Sequence, residues 1–401
     1  MSQSGPGGTD GGLDAASVAA EIADAPFVRV IARASGDAVA AAGLLGRVLA
    51  SQGTPFQVSV GRTIEDRTRR VAEADDSSTA VVVGSSQATD AVHLDPDDEP
   101  ASVAAWRLAG ELGATADSVL ALVGVAAAGV TPGAGSSARL VESAEAGGRL
   151  DRRPGVAGPV DDVVDVLVHS TLVHASFSGD EASARSALST LGVDVDADVD
   201  ASASADLSDD VQRRVASFVA VATTGASDAP ARAGEAVERA LRPYVLTDSD
   251  APFATVVGYA DVLSALASSA PGTGVAVALG HDVRDGALAA WREHSLAVHD
   301  AVASCERSRH DGVVVVRDVD APLSTTARLV RDYRSPEPVV AAVDTDGDAV
   351  ALAATPEFDV EDVLARVTTQ TGGEYDGTAD AGYATIDCDT DQFVTTLREE
   401  L

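Results

Sequence analysis

The chain has 401 residues, enough for about two to three domains, and its 45% hydrophobic content comes in short runs. None approaches the roughly 20 apolar residues of a membrane span, and two cysteines, Cys305 and Cys388, exclude a disulfide framework or a four-cysteine zinc site. All 28 basic residues are arginine and stand against 63 acids, for a formal net charge of −35. At ordinary ionic strength such a chain repels itself, whereas in molar salt the screening length falls to about 3 Å. With few aromatics (3%) and no lysine, the composition fits a protein adapted to a salt-rich cytoplasm. A single acidic protein in an ordinary cell is the alternative. On the first reading the acidity reports the solvent, and it does not exclude nucleic acid as a ligand. Residues 1–12 show no basic segment or apolar run of an export signal, so a cytoplasmic location is expected.

Residues 1–14 read as a flexible tail. Strands are predicted at 27–32, 56–61, 79–84 and 91–94, with a helix rich in Ala and Leu over 37–51 and further helices at 102–112 and 116–128. The apolar run 79–84 ends in Gly84, as a buried parallel strand leading into a ligand-side loop would. Repeating strand–helix units of this kind predict an α/β, doubly wound parallel-sheet domain over 15–150, with its crevice at the carboxyl ends of the strands. Residues 129–160 read as loop. The acidic run 193–201 is read as a solvated loop, and helices resume at 211–222 and 230–241, in a helical connector spanning 151–305. A smaller α/β C-terminal domain over 306–401 begins near Val313-Val314-Val315-Val316. In it, 339–343 and 349–353 flank Asp346-Gly347, a hairpin signature.

Several motifs fail. Asp344-Thr345-Asp346-Gly347-Asp348 starts like a calcium loop, but its twelfth position holds Thr355 and its glycine is misplaced. Gly133-Ala134-Gly135-Ser136-Ser137 lacks the lysine of a phosphate-binding loop. His294 and His299 diverge around a helix and read as satisfied surface histidines. Arg67, Arg69 and Arg70 form a basic cluster on a predicted helix, read as a solvated face. Neither cysteine has a histidine near it in sequence.

The order of motifs resembles the DHH phosphoesterases, in particular the archaeal RecJ-like proteins. The family's first motif is a strand running into His-x-Asp-x-Asp-Gly and an Ala/Leu-rich helix. The matching stretch here runs Val30-Ile31-Ala32-Arg33-Ala34-Ser35-Gly36-Asp37-Ala38, with Arg33 in the histidine slot, Ser35 in that of the first aspartate and only Asp37 retained. Gly84 stands where the second motif ends in a metal-bridging aspartate. Asp95-Pro96-Asp97 stands at the Asp-His-His position, before a helix beginning near Ser102, and Gly124-x-x-x-Ala128 lacks the closing acid. At the C-terminus, Gly372-Gly373-Glu374-Tyr375 resembles the Gly-Gly-Gly-His loop of the family's accessory (DHHA1-like) domain, with Tyr375 in the histidine slot. Residues 381–386 resemble the strand after it, Ala353-Ala354-Thr355 lacks the Ser-x-Arg of the preceding hairpin, and 252–265 resembles the connector helix.

This resemblance implies two-metal phosphodiester hydrolysis in an intact relative. Two divalent ions about 3.5–4 Å apart need several carboxylates and imidazoles. Asp37, Asp95 and Asp97, with Asp90 nearby, are a remnant that could hold one hydrated Mg²⁺ or Mn²⁺ loosely, and Arg33 puts a permanent positive charge at the metal position, where it would contact a phosphate or pair with Asp37. No cofactor is therefore expected unless residual Mn- or Mg-dependent activity survives. The resemblance implies a non-catalytic scaffold or single-stranded-DNA-binding subunit in replication or repair, akin to the DHH-derived subunit of the eukaryotic replicative helicase. Expected partners are replisome proteins of the GINS and MCM type or a RecJ-like paralogue, with single-stranded DNA as a further candidate ligand. Candidate contacts are Arg33, Gly372, Gly373 and Tyr375, with a plain turn as the alternative at the two glycines. An active single-strand exonuclease or small phosphodiesterase is the enzyme alternative, and an unrelated α/β binding protein is the third.

Overall fold

The computed structural model describes residues 15–75, 77–94, 99–193 and 207–401. The N-terminal part runs α1 (Ala15–Ala23), β1 (Val28–Arg33), α2 (Gly36–Gln52), β2 (Phe56–Gly61), α3 (Ile64–Ala72), β3 (Thr79–Val83), β4 (Val92–Leu94), α4 (Ala101–Glu111) and α5 (Ser118–Ala127). Its four strands form one sheet in the order β2-β1-β3-β4, parallel throughout, with Val28 opposite both Phe56 and Thr79 and Val81 opposite Val92. Val28, Val30 and the run Val81-Val82-Val83 are fully buried, as strands covered on both faces must be. α2 and α4 lie over one face, while α3 seals the other through Val71, which packs on Ile31, Ala80 and Val82. Ser35 starts α2 by accepting the Ala38 amide, and Gly53 ends it at φ 74°, a conformation open to glycine.

The middle of the chain holds α6 (Ala138–Ala146), β5 (Leu150–Arg152), α7 (Val163–His169), α8 (Glu181–Thr190), α9 (Asp209–Thr224), α10 (Ala233–Glu238), β6 (Tyr244–Leu246), α11 (Val256–Ser269), α12 (Pro271–Leu279) and α13 (Arg284–Ser304). Stretch 129–160, expected to be loop, thus contains a helix and a strand. Leu140, Val141 and Ala144 of α6 pack into the first core, a stripe masked in the sequence by flanking glycines. Of the acidic run 193–201, only Val193 belongs to the described residues, and the predicted N-terminal tail lies outside them.

The C-terminal part comprises β7 (Arg307–His310), β8 (Val313–Val319), α14 (Leu323–Tyr333), β9 (Val339–Asp344), β10 (Ala349–Ala354), α15 (Val360–Thr371), β11 (Tyr375–Gly377), β12 (Ala381–Thr385) and α16 (Thr390–Glu400). Its six-stranded sheet has the order β11-β12-β10-β9-β8-β7, mixed in direction, with β8 and β9 parallel. The predicted β9–β10 hairpin is present and Gly347 turns it at φ 77°.

Three large apolar clusters hold the molecule. The first joins α2, α4 and α5 to α11, α12 and the first half of α13 as far as Trp291. The second joins α7 to α10 and the end of α13 (Val298, Ala301, Val302) to one face of the six-stranded sheet. The third packs α15 and α16 on that sheet's other face. α13, 21 residues and about 30 Å long, therefore reaches from one core into the next.

α13 also corrects the reading of its histidines. His294 and His299 are buried, 3% and 1% exposed. His294 bridges Ser269 of α11 and Thr325 of α14 at 2.8 and 3.0 Å. His299 stacks on His174, with their Nδ1 atoms 3.1 Å apart.

Candidate functional site

The carboxyl ends of β1 and β2 open into a cleft of about 590 Å³ whose far wall is built by α14, β11 and β12. Five arginines line it (Arg33, Arg62, Arg239, Arg328, Arg331) against four aspartates (Asp37, Asp344, Asp376, Asp380). Across the chain acids outnumber arginines 63 to 28, whereas in the cleft lining arginines slightly outnumber acids.

Arg33, the last residue of β1, does not pair with Asp37. Its Nε lies 3.0 Å from Oδ2 of Asp376 in the C-terminal part, an ion contact without hydrogen-bond alignment, and its Nη2 donates to Ser85 Oγ at 3.2 Å. Gly84 makes this possible: at φ 108° a Cβ there would lie 3.1 Å from the Arg33 Cβ. The other Asp376 oxygen accepts from Nη2 of Arg67. Arg67 is fully buried, contrary to the solvated face expected for it. Its Nε donates to the Ser85 carbonyl at 2.8 Å and its Nη1 to the Gly61 carbonyl at 3.2 Å, so each of its nitrogens has an acceptor. Arg69 and Arg70 instead pair with Asp66 on the outer face of the helix.

Asp37, in the first turn of α2, points at the start of α4, where it accepts the backbone amides of Ala101 (2.7 Å) and Ser102 (3.0 Å). Burial pushes its carboxyl above the usual range, against the pull of these hydrogen bonds and of Arg33. Gly124 of α5 closes over it: a Cβ there would lie 2.7 Å from Asp37 Oδ1 and 2.4 Å from the Ser102 Cβ. The carboxylate thus serves as a cap wedged between helices.

The remaining arginines are held by neighbours. Arg62 donates to the Ser268 carbonyl (3.0 Å) and lies 5.0 Å over the Tyr383 ring. Arg239 pairs with Asp332 at 2.7 Å, and Arg331 bonds the same aspartate and the Ala354 carbonyl. Arg328 donates to the Thr171 carbonyl at 3.0 Å, and burial lowers its pKa.

Among the expected site residues, the fold brings Arg33 and Asp37 to the cleft. Gly372 and Gly373 form the turn from α15 to β11 at φ 79° and 99°, where a Cβ on Gly373 would meet the Thr385 carbonyl oxygen at 2.2 Å, and neither lines the cleft. Tyr375 lies half-buried on β11 opposite Ala384, its hydroxyl pKa raised by burial and by Glu361. Asp90 is exposed, and Asp95 and Asp97 lie outside the described residues. Sequence reading missed Asp376, Arg62, Arg239, Arg328 and Arg331, since nothing local marks them as neighbours.

The described residues do not fit a two-metal centre. Arg33 brings a guanidinium paired with Asp376, Asp37 is committed to two amides, Gly84 has no side chain, and among the described residues no three His, Cys, Asp or Glu side chains are grouped to hold a metal.

The uncharacterized protein rrnAC1427 of Haloarcula marismortui is 44% identical to this chain over 383 residues, 95% of each. This chain belongs to the rrnAC1427 family. The model of that family's C-terminal domain matches residues 305–399. Among solved structures, CDC45 from Entamoeba histolytica superposes with a TM-score of 0.62 over 96% of this chain and 98% of its own, at 8% identity. RecJ in complex with Mn²⁺ from Thermus thermophilus aligns at TM-score 0.48 and 15% identity, over 96% of this chain and 53% of its own. The fold is the one CDC45 has, with the parallel-sheet unit and the smaller α/β unit both in place. No helix among the described residues is long and apolar enough to cross a membrane.

Proposed function

We propose that this rrnAC1427-family protein is a non-catalytic DHH-fold subunit that holds a single nucleic-acid strand in its arginine-lined cleft within a replication or repair assembly. The observation that carries the reading is the fate of the metal position: Arg33 is neutralised by Asp376, and Asp37 is used as a helix cap. A cation there would meet a fixed guanidinium where a two-metal site of the DHH phosphoesterase kind needs a ligand without positive charge. What supports strand binding is the lining itself: five arginines, whose present partners a phosphate would have to replace, and the aromatic ring of Tyr383, covered on one side by Arg62. Likeness to the CDC45 fold supports partners of the GINS and MCM type or a RecJ-like paralogue.

The test is incubation with labelled single-stranded DNA and Mn²⁺ in molar KCl. Retention of the intact strand, with binding weakened by Arg62→Ala, is the expected result. Rapid degradation abolished by Asp37→Ala would establish the exonuclease reading instead. Affinity capture from a haloarchaeal lysate is expected to recover helicase-type or RecJ-like subunits, and their absence removes the scaffold role.

A further inference from the structure

The parallel-sheet unit and the C-terminal sheet share no apolar cluster among the described residues. The first core includes no residue beyond Trp291, and the second and third include none from β1–β4 or α2–α5. Where the two units face each other across the cleft, the contacts are polar. Thr63 donates to Glu374 at 2.6 Å, Arg62 lies over Tyr383, and the Arg33–Asp376–Arg67 ion cluster sits between them. Both arginines belong to the parallel-sheet unit, and the carboxylate belongs to β11.

Both guanidiniums are also held by groups of their own unit. Arg67 is locked by the carbonyls of Gly61 and Ser85, leaving Nη2 directed at Asp376, while Arg33 is held by Ser85 and braced against Gly84. Each oxygen of Asp376 takes one guanidinium, an arrangement that two oxygens of a phosphodiester reproduce. β11 is a three-residue edge strand, joined to the sheet on one side only, through β12. Its departure would leave the buried charge of Arg67 in need of another anion.

We propose that Arg33 and Arg67 form a phosphodiester seat that Asp376 fills in the closed form. A strand entering the cleft displaces the carboxylate, and the C-terminal unit loses its hold on the parallel-sheet unit at the cleft, while α13 keeps the two joined. The inference rests on the cleft's proposed role as a strand-binding site. It makes Asp376 an internal competitor, so that apparent affinity is reduced by the fraction of molecules in which the seat is filled.

The experiment compares the full-length protein with Asp376→Asn and Arg33→Ala, reading anisotropy of a labelled oligodeoxythymidylate in molar KCl and the radius of gyration by small-angle scattering. Asp376→Asn is expected to bind about tenfold tighter than wild type and to be expanded without ligand. Wild type should expand on adding the oligonucleotide. Arg33→Ala is expected to be expanded too but to bind more weakly. Opposite affinity changes in two variants that both break the ion cluster are something a merely structural latch would not give. Wild-type binding that Asp376→Asn leaves unchanged or weakens overturns the competitor role while sparing the cleft reading. Absence of binding by all three proteins overturns both.

Discussion

Arg67 shows how much one side chain can decide. It lies with Ile64 and Val71 on the stripe of α3 that faces the sheet, three and four positions from each, and brings a full charge into the interior. Its three hydrogen-bonding nitrogens are all used, so truncation strands one oxygen of Asp376 and two carbonyls together, leaving Arg33 on the other oxygen. Breaking a buried pair from one side costs about 3–5 kcal/mol, and Arg67→Ala is expected to lose about that much in urea unfolding in molar KCl. Arg67→Lys should recover little of it, because an ammonium cannot reach three acceptors in the guanidinium plane. The sequence reading places Arg67 with Arg69 and Arg70 on a solvated face, although its spacing from Ile64 and Val71 sets it on the apolar stripe where the structure buries it. What could not be read was its partner, since Arg67 and Asp376 are 309 positions apart and no local pattern links them.

At the scale of elements, the close approach of α5 to the start of α4 depends on Gly124. Adding a methyl there places it 2.3 Å from Ser102 Oγ, so Gly124→Ala must push the helices apart and disturb the Asp37 cap. A loss of about 1–3 kcal/mol is expected, seen as a lower melting temperature. α13 carries a second element-scale consequence. Its histidines are held low mainly by burial, His299 and His294 to about 4, and His174, its stacked partner, to about 3. The Ser170 carbonyl, 3.2 Å from His299 Nε2, requires a proton there, so neutral His299 accepts at Nδ1 and His174 donates to it. Unfolded histidine titrates near about 6.5, so below that pH the unfolded chain binds more protons than the folded one. The stability contribution is complete above about 6.5 and is lost as pH falls toward 4. Urea midpoints measured across this window should decline with acidification, and His299→Gln should flatten the decline.

The whole molecule carries −35 formal charges, with its arginines drawn into ion pairs and into the cleft. Repulsion among the surplus carboxylates grows as the screening length lengthens from about 3 Å in molar salt to about 10 Å near 0.1 M. The melting temperature is therefore expected to fall steeply on dialysis from molar KCl to dilute buffer, before any ligand is considered. A salt-independent melting temperature would contradict the reading of the acidity as an adaptation to solvent.

Strand–helix alternation was enough to determine the parallel sheet and the smaller α/β unit after it, and composition set the expectation about solvent. These follow from local periodicity and from residue types at fixed offsets, which a linear string records. The helix within 129–160 escaped because glycines masked a short apolar stripe. Only the tertiary structure decided that Arg33 meets Asp376 rather than Asp37, that Asp37 caps a helix, and that the histidines of α13 are buried. Each of these depends on which distant segments the packed cores bring within a few ångströms of one another, and contacts across hundreds of positions leave no trace in local pattern.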